Sequence, residues 1–421
     1  MYLRDNWPNT PDGTPYNGKN LLKLVIDKKS PFDELWDVRQ LLAEIERNLR
    51  ARIVDIPIVV RGSCHAVCYG IHITLHNQPP ILVRLSRTDI NHPKYSGPPA
   101  ESQVSAARFE SGLYKLLRAE EGIPVSQLLY YRPPMSKTAP KGGDKGEGKE
   151  TTRKGSKDLS GRSLFVFSLP EGRTRTPSSS GVNETESSGG FSGFVWDELN
   201  SEQRDTLLTQ CASIRASLFN LTPPKGFSTF WLRERLCSQT PDLKLTVPVS
   251  PTREFCIALF EARVNSLLGQ EQYSGNRTIT ATKDALLNLI PTILPEEEES
   301  GSGEPTYYRL ILEHGNFGIH NMAIKQEKQS VSVTSLHDWD LGHILPAILS
   351  DPSLGTECLG WAGVYVETLF AQAPAYKRAI QAGKHARALW NMLSNWDGDD
   401  IEAFCEKLGR WADDVKRTSG L

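Results

Sequence analysis

The densest group of chemically versatile side chains lies in Leu312 to Lys325, whose sequence is LEHGNFGIHNMAIK. The group consists of His314, Asn316, His320 and Asn321. It directly follows the apolar run Leu310 to Leu312, which has the composition of a short buried strand. Polar side chains crowded at the end of a strand favour a functional loop. This segment is therefore the first candidate site.

Histidines in this region raise the alternative of a zinc centre. The spacing of His320, His337 and His343 matches no zinc-ligand template. Cys64 and Cys68 have no second closely spaced cysteine pair that would complete a tetrahedral site. All seven cysteines are interpreted as reduced thiols. We therefore expect no zinc site.

The size and charge of the chain limit its organisation and its partners. With 421 residues, it exceeds the roughly 250 to 300 residues at which a single core stops growing, so two lobes are expected. A formal net charge of -2 gives no attraction to nucleic acid or to an anionic membrane. The first residues lack the apolar region of a secretory signal, and no run approaches the ~20 apolar residues that span a bilayer. We expect a cytoplasmic protein with small-molecule partners.

The N-terminal part carries the first predicted element. Ser30 to Leu49 has apolar residues near helical spacing, with Ser30 as a cap and Pro31 in the first turn. This pattern predicts an amphipathic helix. Residues 1–50 are accordingly interpreted as an N-terminal extension.

Residues 51–173 are predicted to form a small β lobe. Alternating apolar and polar residues from Ile56 to Arg87 predict three antiparallel strands, and Ser102 to Gly122 returns to the helical period. Two more strands are expected in GIPVSQLLYYRP and SLFVFSLPEGRT. Between them, residues 136–162 are rich in Gly and Lys, which indicates a disordered insertion. The lobe therefore has a five-stranded antiparallel sheet and one long helix.

Residues 174–421 are predicted to be mainly helical. After a Ser/Gly-rich stretch, several amphipathic segments follow one another to the C-terminus. Two short strands, TYYRLILE and VSVTSLHD, flank the opening loop. The whole chain is thus predicted to be α+β.

The order of the polar motifs resembles a known family. His314-Gly315-Asn316, then His320-Asn321, then a strand and His337-Asp338-Trp339-Asp340 are similar to the signature of the aminoglycoside phosphotransferase and choline kinase family. The closest match is its fungal branch, which reads His-Gly-Asp, a few residues, His-Asn, a strand, and Asp-Trp-Glu. The resemblance extends from about Val59 to about Pro352. It implies a bilobal protein-kinase-like fold and ATP- and Mg-dependent transfer of the γ-phosphoryl group to a hydroxyl of a small metabolite.

The resemblance assigns the metal and phosphate ligands. Asn321 and Asp338 match the magnesium ligands, and both offer the hard oxygen atoms that this ion prefers. Arg84, on a predicted strand, stands where kinases place a phosphate-binding cation. Glu110, fourteen residues before Pro124, stands where the family has its helix partner. The alternatives are turn residues for the first pair and surface charges for the second.

The same comparison suggests the remaining nucleotide contacts. Gly62 and Ser63 would lie in the loop over the phosphates. Backbone groups near Ser168 and Leu169 would meet the base, because FVFSLPEG is similar to the hinge of the family. The alternative for the latter is a buried edge strand.

Position 316 departs from the family, which has an aspartate there to accept the proton of the attacking hydroxyl. An asparagine amide orients a substrate but is a weak base, and general base catalysis is worth roughly 10²- to 10⁴-fold. Activity is thus expected to be reduced, with a catalytically inactive nucleotide- or metabolite-binding protein as the alternative. His314 is interpreted as a brace for the loop, although it and His320 are also possible proton acceptors.

The acceptor is selected in this family by the C-terminal helices. A cluster of four acidic residues there could bind a cationic amine: Asp397, Asp399, Asp400 and Glu402. The simpler interpretation is that Asp399 or Asp400 caps a helix beginning at Ile401. Trp361 and Trp390 could offer cation-binding faces, but core packing is the preferred interpretation.

Overall fold

A computed structural model describes most of the chain. The described residues are 4–10, 12–61, 68–137, 158–174, 196–237, 245–297, 306–355, 362–396 and 398–419. They fall into two compact units. Unit 1 comprises Met1–Arg204 with Gly318–Asp340, and unit 2 comprises Asp205–Phe317 with Leu341–Leu421. Gly62, Ser63, Trp361 and Asp397 lie outside the described residues.

Unit 1 is organised around an antiparallel sheet, as the alternating sequence pattern predicts. Its five strands lie in the order β1-β2-β3-β5-β4. They are β1 (Ile53–Arg61), β2 (Cys68–Leu75), β3 (Gln78–Ser86), β4 (Leu128–Arg132) and β5 (Leu164–Ser168). The sheet and the long helix α3 (Ala100–Leu117), which connects β3 to β4, confirm the predicted α+β class.

The N-terminal residues belong to the core of unit 1. Helices α1 (Leu21–Ile26) and α2 (Val38–Leu49) precede the sheet. Phe32 and Trp36 are fully buried in one cluster with Tyr69 of β2. The predicted helix start at Ser30 is wrong, because residues 31–35 form turns and the Asp37 side chain caps α2 instead.

Residues 158–162 correct the predicted extent of the insertion. Leu159 is buried, and the Arg162 guanidinium pairs with Asp5 at 2.7 Å and donates to the Ser86 carbonyl at 3.0 Å. These contacts fix the residues that lead into β5. Residues 138–157 of the predicted insertion and the Ser/Gly-rich residues 175–195 lie outside the described residues.

A second sheet of unit 1 has three strands in the order β6-β8-β9. They are β6 (Arg173–Thr174), β8 (Met322–Gln326) and β9 (Val331–Leu336). The motif resemblance implies a hairpin between Asn321 and His337, and strand β8 is its first strand. It forms an antiparallel hairpin with β9, in which Met322 faces Leu336.

Unit 2 is mainly helical, as predicted. Its helices are α4 (Ser201–Asn220), which begins in unit 1, α5 (Lys225–Leu232), α6 (Arg253–Leu268), α7 (Arg277–Ile293), α8 (Ala362–Gln372), α9 (Pro374–Ala382), α10 (Lys384–Ser394) and α11 (Ile401–Ser419). Strands β7 (Leu310–Glu313) and β10 (His343–Pro346) form an antiparallel pair. None of the helices in the described part of the chain combines the length and hydropathy needed to cross a bilayer.

Candidate active site

The predicted ion pair between strand β3 and helix α3 is present. Arg84 Nη1 donates to Glu110 Oε1 at 2.8 Å, and Arg84 Nη2 donates to Oε2 at 3.3 Å. This two-point arrangement fixes the plane of the guanidinium. Glu110 is 3% exposed, so the pair is a buried feature of unit 1 rather than two surface charges.

Aromatic rings hold the Arg84 side chain from strand β5. Phe165 and Phe167 alternate along the strand and therefore point to the same face of the sheet. The guanidinium carbon of Arg84 lies 5.4 Å from the centre of the Phe165 ring and 5.8 Å from that of Phe167. The electron-rich ring faces attract the cation. The alternating LFVFS motif could have indicated this support, but the sequence interpretation missed it.

The surroundings keep Arg84 charged and the Cys68 thiol protonated. Burial disfavours the charged guanidinium, but the Glu110 carboxylate and further acidic groups such as Asp338 together outweigh this and keep the pKa of Arg84 well above its ordinary value. Burial raises the pKa of Glu110, and Arg84 opposes the rise. Burial also raises the pKa of Cys68 to about 11. One cation, two nearby carboxylates and a neutral thiol therefore share this region.

The β8–β9 hairpin brings the two predicted metal ligands to the same end. Asn321 immediately precedes β8, and one residue, His337, separates the end of β9 from Asp338. The His337 N–H donates to the Asn321 carbonyl at 2.9 Å, which extends the hairpin to both positions. Asn321 is fully buried and Asp338 is 6% exposed. Within unit 1, the backbones of these two residues are thus held close together, while the convergence of their side chains on one metal ion stays a prediction.

The backbone at Asp338 has an unusual conformation. Its φ angle is 69°, a left-handed geometry that few non-glycine residues adopt and that is frequent at functional sites. Trp339 is fully buried, and its indole N–H donates to the Leu336 carbonyl at 3.3 Å. A hydrogen bond also joins the Asp338 backbone to Tyr114 of α3. These contacts hold the turn in its unusual conformation.

The carboxylate of Asp338 faces the Arg84 pair. Asp338 Oδ1 lies 4.0 Å from Arg84 Nη1, at the limit of an ion pair. Arg84 therefore links strand β3, helix α3 and the β8–β9 turn. The Asp338 carboxylate and the Asn321 amide provide the oxygen donors that suit magnesium, so the residues present fit the ion that the family resemblance implies.

The chain leaving β5 offers carbonyl groups rather than N–H groups. We call Ser168–Pro170 the exit segment. Its Ser168 N–H donates to the Gln127 carbonyl at 2.9 Å, and its Leu169 N–H donates to the Pro80 carbonyl at 3.1 Å. Base contacts at Ser168 and Leu169 therefore stay a prediction, but one narrowed to their carbonyl oxygens.

In unit 2, the loop after β7 carries His314 and Asn316. His314 is fully buried, and its ring packs edge-to-face with Phe317 at 6.3 Å, which agrees with a bracing role. Gly315 has a φ of 77°, and a Cβ there would lie 2.2 Å from the Leu341 carbonyl oxygen. Only glycine meets both conditions. Asn316 is partly exposed, as a substrate-facing residue would be.

A buried ion pair supports this loop and was not predicted. Arg215 of α4 pairs with Glu313 at 2.6 Å, and Tyr376 contacts Arg215 at 3.2 Å. The Arg215 guanidinium also lies 5.3 Å from the Phe317 ring centre. The Glu313 carboxylate raises the pKa of Arg215 although burial opposes this. Glu313 and Arg215 thus position the segment that contains Asn316.

The other residues singled out in the sequence are partly buried in the fold or lie at a helix terminus. Burial lowers the pKa of His337 to about 4 and also lowers the pKa of His343, so both rings are neutral near pH 7. Asp400 Oδ1 accepts from the Ala403 N–H at 3.0 Å, which confirms the predicted helix cap. Trp390 packs edge-to-face on Phe260 at 5.4 Å, as expected for core packing. Asp399 and Glu402 are exposed beside this cap.

No family model and no curated protein matches this chain. Solved structures do match it. A macrolide 2'-phosphotransferase from Brachybacterium faecium is 11% identical, with 89% of this chain and 97% of that chain covered and a TM-score of 0.42.

Two further similar structures hold ligands. A spectinomycin phosphotransferase in complex with ADP and spectinomycin is 10% identical, with 92% of this chain and 100% of that chain covered and a TM-score of 0.35. A wild-type aminoglycoside 2'-phosphotransferase in complex with GDP is 12% identical, with 87% and 94% of the two chains covered and a TM-score of 0.40.

Proposed function

We propose that this protein is a magnesium-dependent phosphotransferase that moves the γ-phosphoryl group of a nucleoside triphosphate to a hydroxyl group of a small metabolite. The motif resemblance leads to ATP as the expected donor. The observation that carries the proposal is the arrangement of Arg84, Glu110 and Asp338 in unit 1. A buried two-point ion pair beside a second carboxylate in a left-handed turn is more than packing requires.

The proposed reaction is a direct displacement. The oxygen of the acceptor hydroxyl bonds to the γ-phosphorus, the bond from that phosphorus to the β–γ bridging oxygen breaks, and the nucleoside diphosphate leaves. The hydroxyl proton passes to solvent. Such transfers depend mainly on positioning and on charge stabilisation. Magnesium, when bound, supplies positive charge to the phosphate oxygens.

Five side chains of the candidate site have specific roles in this proposal. Asn321 and Asp338 hold the metal through oxygen atoms. Arg84 neutralises the charge of the phosphates, and Glu110 keeps its guanidinium in one orientation. Asn316 accepts a hydrogen bond from the acceptor hydroxyl and so orients it, but does not remove its proton.

Asn316 also favours a second function, that of a catalytically inactive nucleotide- or metabolite-binding protein. The loss of a general base lowers the rate by roughly 10²- to 10⁴-fold, or about 3 to 5.5 kcal/mol at ~1.36 kcal/mol per decade. Proton transfer to water late in a loose transition state preserves a slow reaction, because little bonding to the nucleophile has developed.

One pair of measurements separates the two functions. Magnesium-dependent nucleotide binding is measured first, by thermal shift, and nucleotide consumption with a panel of hydroxyl acceptors follows. The unmodified chain is expected to bind and to turn over slowly, and Asn316→Asp to turn over at least ~100-fold faster. Asn391→Asp, on the exposed face of α10, is the matched control.

The possible results lead to different conclusions. Binding with turnover only in Asn316→Asp would favour the inactive binding protein as the natural state. Asp338→Asn should weaken magnesium-dependent binding while the protein remains folded by circular dichroism. Absence of nucleotide binding in the unmodified chain would refute both functions as far as they involve a nucleotide.

A further inference from the structure

A cavity lies in unit 1 where helix α1 leads into helix α2. Its volume is about 270 Å³, just below the roughly 300 Å³ at which small-molecule pockets begin. One short stretch of chain, from the end of α1 to the first turn of α2, supplies its wall: Val25, Lys28, Ser30, Asp33, Trp36, Asp37, Val38 and Arg39. None of these residues belongs to the candidate active site, so the proposed function does not use the cavity.

The cavity wall contains a buried donor without an acceptor. Trp36 is fully buried, and the Phe32 and Tyr69 rings pack on it with centroid distances of 4.6 and 5.6 Å. Among the described residues, no atom accepts from its indole N–H. The indole N–H groups of Trp7 and Trp339 each donate to a main-chain carbonyl, as buried tryptophans usually do. Because an unpartnered buried donor destabilises a fold, a ligand that supplies the missing acceptor would be bound favourably.

Four charged side chains surround the cavity, and their signs balance. We call Lys28 and Arg39 the basic group and Asp33 and Asp37 the acidic group; all four residues are exposed. One guanidinium nitrogen of Arg39 donates to the Val25 carbonyl at 3.1 Å, and one Asp37 oxygen accepts from the Arg39 N–H at 2.8 Å. A guanidinium has five N–H groups and a carboxylate has two oxygens, so both groups retain hydrogen-bonding capacity.

The backbone at Lys28 supports a ligand-binding role for its side chain. Its φ angle is 56°, and it directly follows Asp27, the C-cap of α1. Glycine is the usual residue in a left-handed position after a helix, because a Cβ there is strained. A lysine at this position therefore lowers stability, and strain of this kind is frequent beside ligands.

We propose that this cavity binds a small zwitterion, an α-amino acid with a short apolar side chain. The acidic group repels a purely anionic ligand and the basic group repels a purely cationic one, whereas a zwitterion is attracted by both. Its carboxylate pairs with the basic group and accepts from the Trp36 indole N–H, and its ammonium pairs with the acidic group. Its side chain packs on Val25 and Val38, which are 6% and 2% exposed.

Two analogues of L-leucine separate the contributions of the two charges. The first, 4-methylpentanoate, has the same carbon skeleton without the amino group. The second, 3-methylbutylamine, lacks the carboxylate. Each analogue loses charge-assisted hydrogen bonds to one group and keeps the repulsion from that group's neighbour. We therefore expect each to bind at least about tenfold more weakly than L-leucine.

The test is calorimetric titration of the full chain with L-leucine and L-valine at millimolar concentration, and then with the two analogues. We expect one-to-one binding of the amino acids and weaker binding of the analogues. Absence of binding for both amino acids overturns the inference. An analogue that binds as tightly as L-leucine overturns the assignment to a zwitterion. Neither result bears on the proposed phosphotransferase, because no nucleotide is present in the titration.

Two variants locate the binding in this cavity. Trp36→Phe keeps an aromatic ring but removes the indole N–H, and should weaken L-leucine binding about tenfold. Asp33→Asn changes an exposed side chain; it should weaken L-leucine binding and strengthen 4-methylpentanoate binding, because a repelling charge is lost. Asp27→Asn, at an exposed position outside the cavity wall, is the matched control. Unchanged affinities in folded Trp36→Phe and Asp33→Asn would overturn the assignment to this cavity.

Discussion

Glu110→Gln tests how strongly the buried ion pair stabilises unit 1. The carboxylate accepts from two nitrogen atoms of Arg84, at 2.8 and 3.3 Å, and only 3% of the residue is exposed. The amide of glutamine has almost the same shape but provides a single acceptor oxygen. Its NH₂ group would point at a guanidinium N–H, so a donor would face a donor.

The expected loss follows from the contacts that disappear. A hydrogen bond to a charged group contributes about 1.5 to 3 kcal/mol, and removing one partner of a buried ion pair typically costs about 3 to 5 kcal/mol. Arg84 retains Asp338 at 4.0 Å and 18% side-chain exposure, which reduces the loss. We therefore expect the free energy of unfolding of unit 1 to fall by about 3 kcal/mol.

Denaturant unfolding, followed by circular dichroism and tryptophan fluorescence, measures this loss. For a unit of roughly 150 to 250 residues, each kcal/mol lowers Tm by about 2 to 4 °C, so a decrease of about 6 to 12 °C is also expected. Glu101→Gln, in the exposed first turn of the same helix, removes one charge that favours the helix N-terminus and should cost at most about 1 kcal/mol. A Glu110→Gln protein whose stability lies within about 0.5 kcal/mol of the unmodified one would refute the reasoning.

Three further changes have defined outcomes. Gly315→Ala should lower the stability of unit 2 by at least about 2 kcal/mol, because the new Cβ would lie 2.2 Å from the Leu341 carbonyl oxygen; Gly363→Ala, with open space around it in helix α8, should not destabilise, and thermal unfolding measures both. Asp400→Ala should cost about 1 kcal/mol, since it removes the cap of α11, whereas Asp399→Ala should have little effect in the same denaturant titration. Burial lowers the pKa of His72 below its unfolded value of about 6.5, so protonation of this side chain favours the unfolded chain. Stability should therefore fall as the pH drops below about 6.5. His72→Gln should show a smaller fall in the urea midpoint over the same pH range.

The fold was largely predictable because burial patterns repeat along the chain. The alternation in β2 and β3 follows from one buried face, and the helical period of α3 follows from its packing on the sheet. The start of α2 was not predictable in this way. Ser30 and Asp37 are both good caps, and the choice between them depends on packing, since the Phe32 and Trp36 rings lie 4.6 Å apart in the core.

The candidate site was only partly predictable for a similar reason. Motif spacing led to Arg84 and Glu110, whose ion pair is present, and to Asn321 and Asp338, whose role as metal ligands stays a prediction. No local pattern indicates the pair between Arg215 and Glu313, which are 98 residues apart in sequence. The hydrogen bond from the Leu169 N–H to the Pro80 carbonyl was equally hidden, because it depends on the register between β3 and β5.

The energetics of the Arg84 region argue against a purely structural role for it. A buried ion pair is seldom more stabilising than apolar side chains of similar volume, and a left-handed backbone at Asp338 adds strain of order 1 to 3 kcal/mol. Packing alone would be served as well by apolar residues at these positions. A charged ligand changes this comparison, because phosphate and metal ions form favourable interactions with the same charged groups whose burial costs folding free energy. The proposed nucleotide-binding function therefore accounts for the polar groups around Arg84 whether or not Asn316 permits fast transfer.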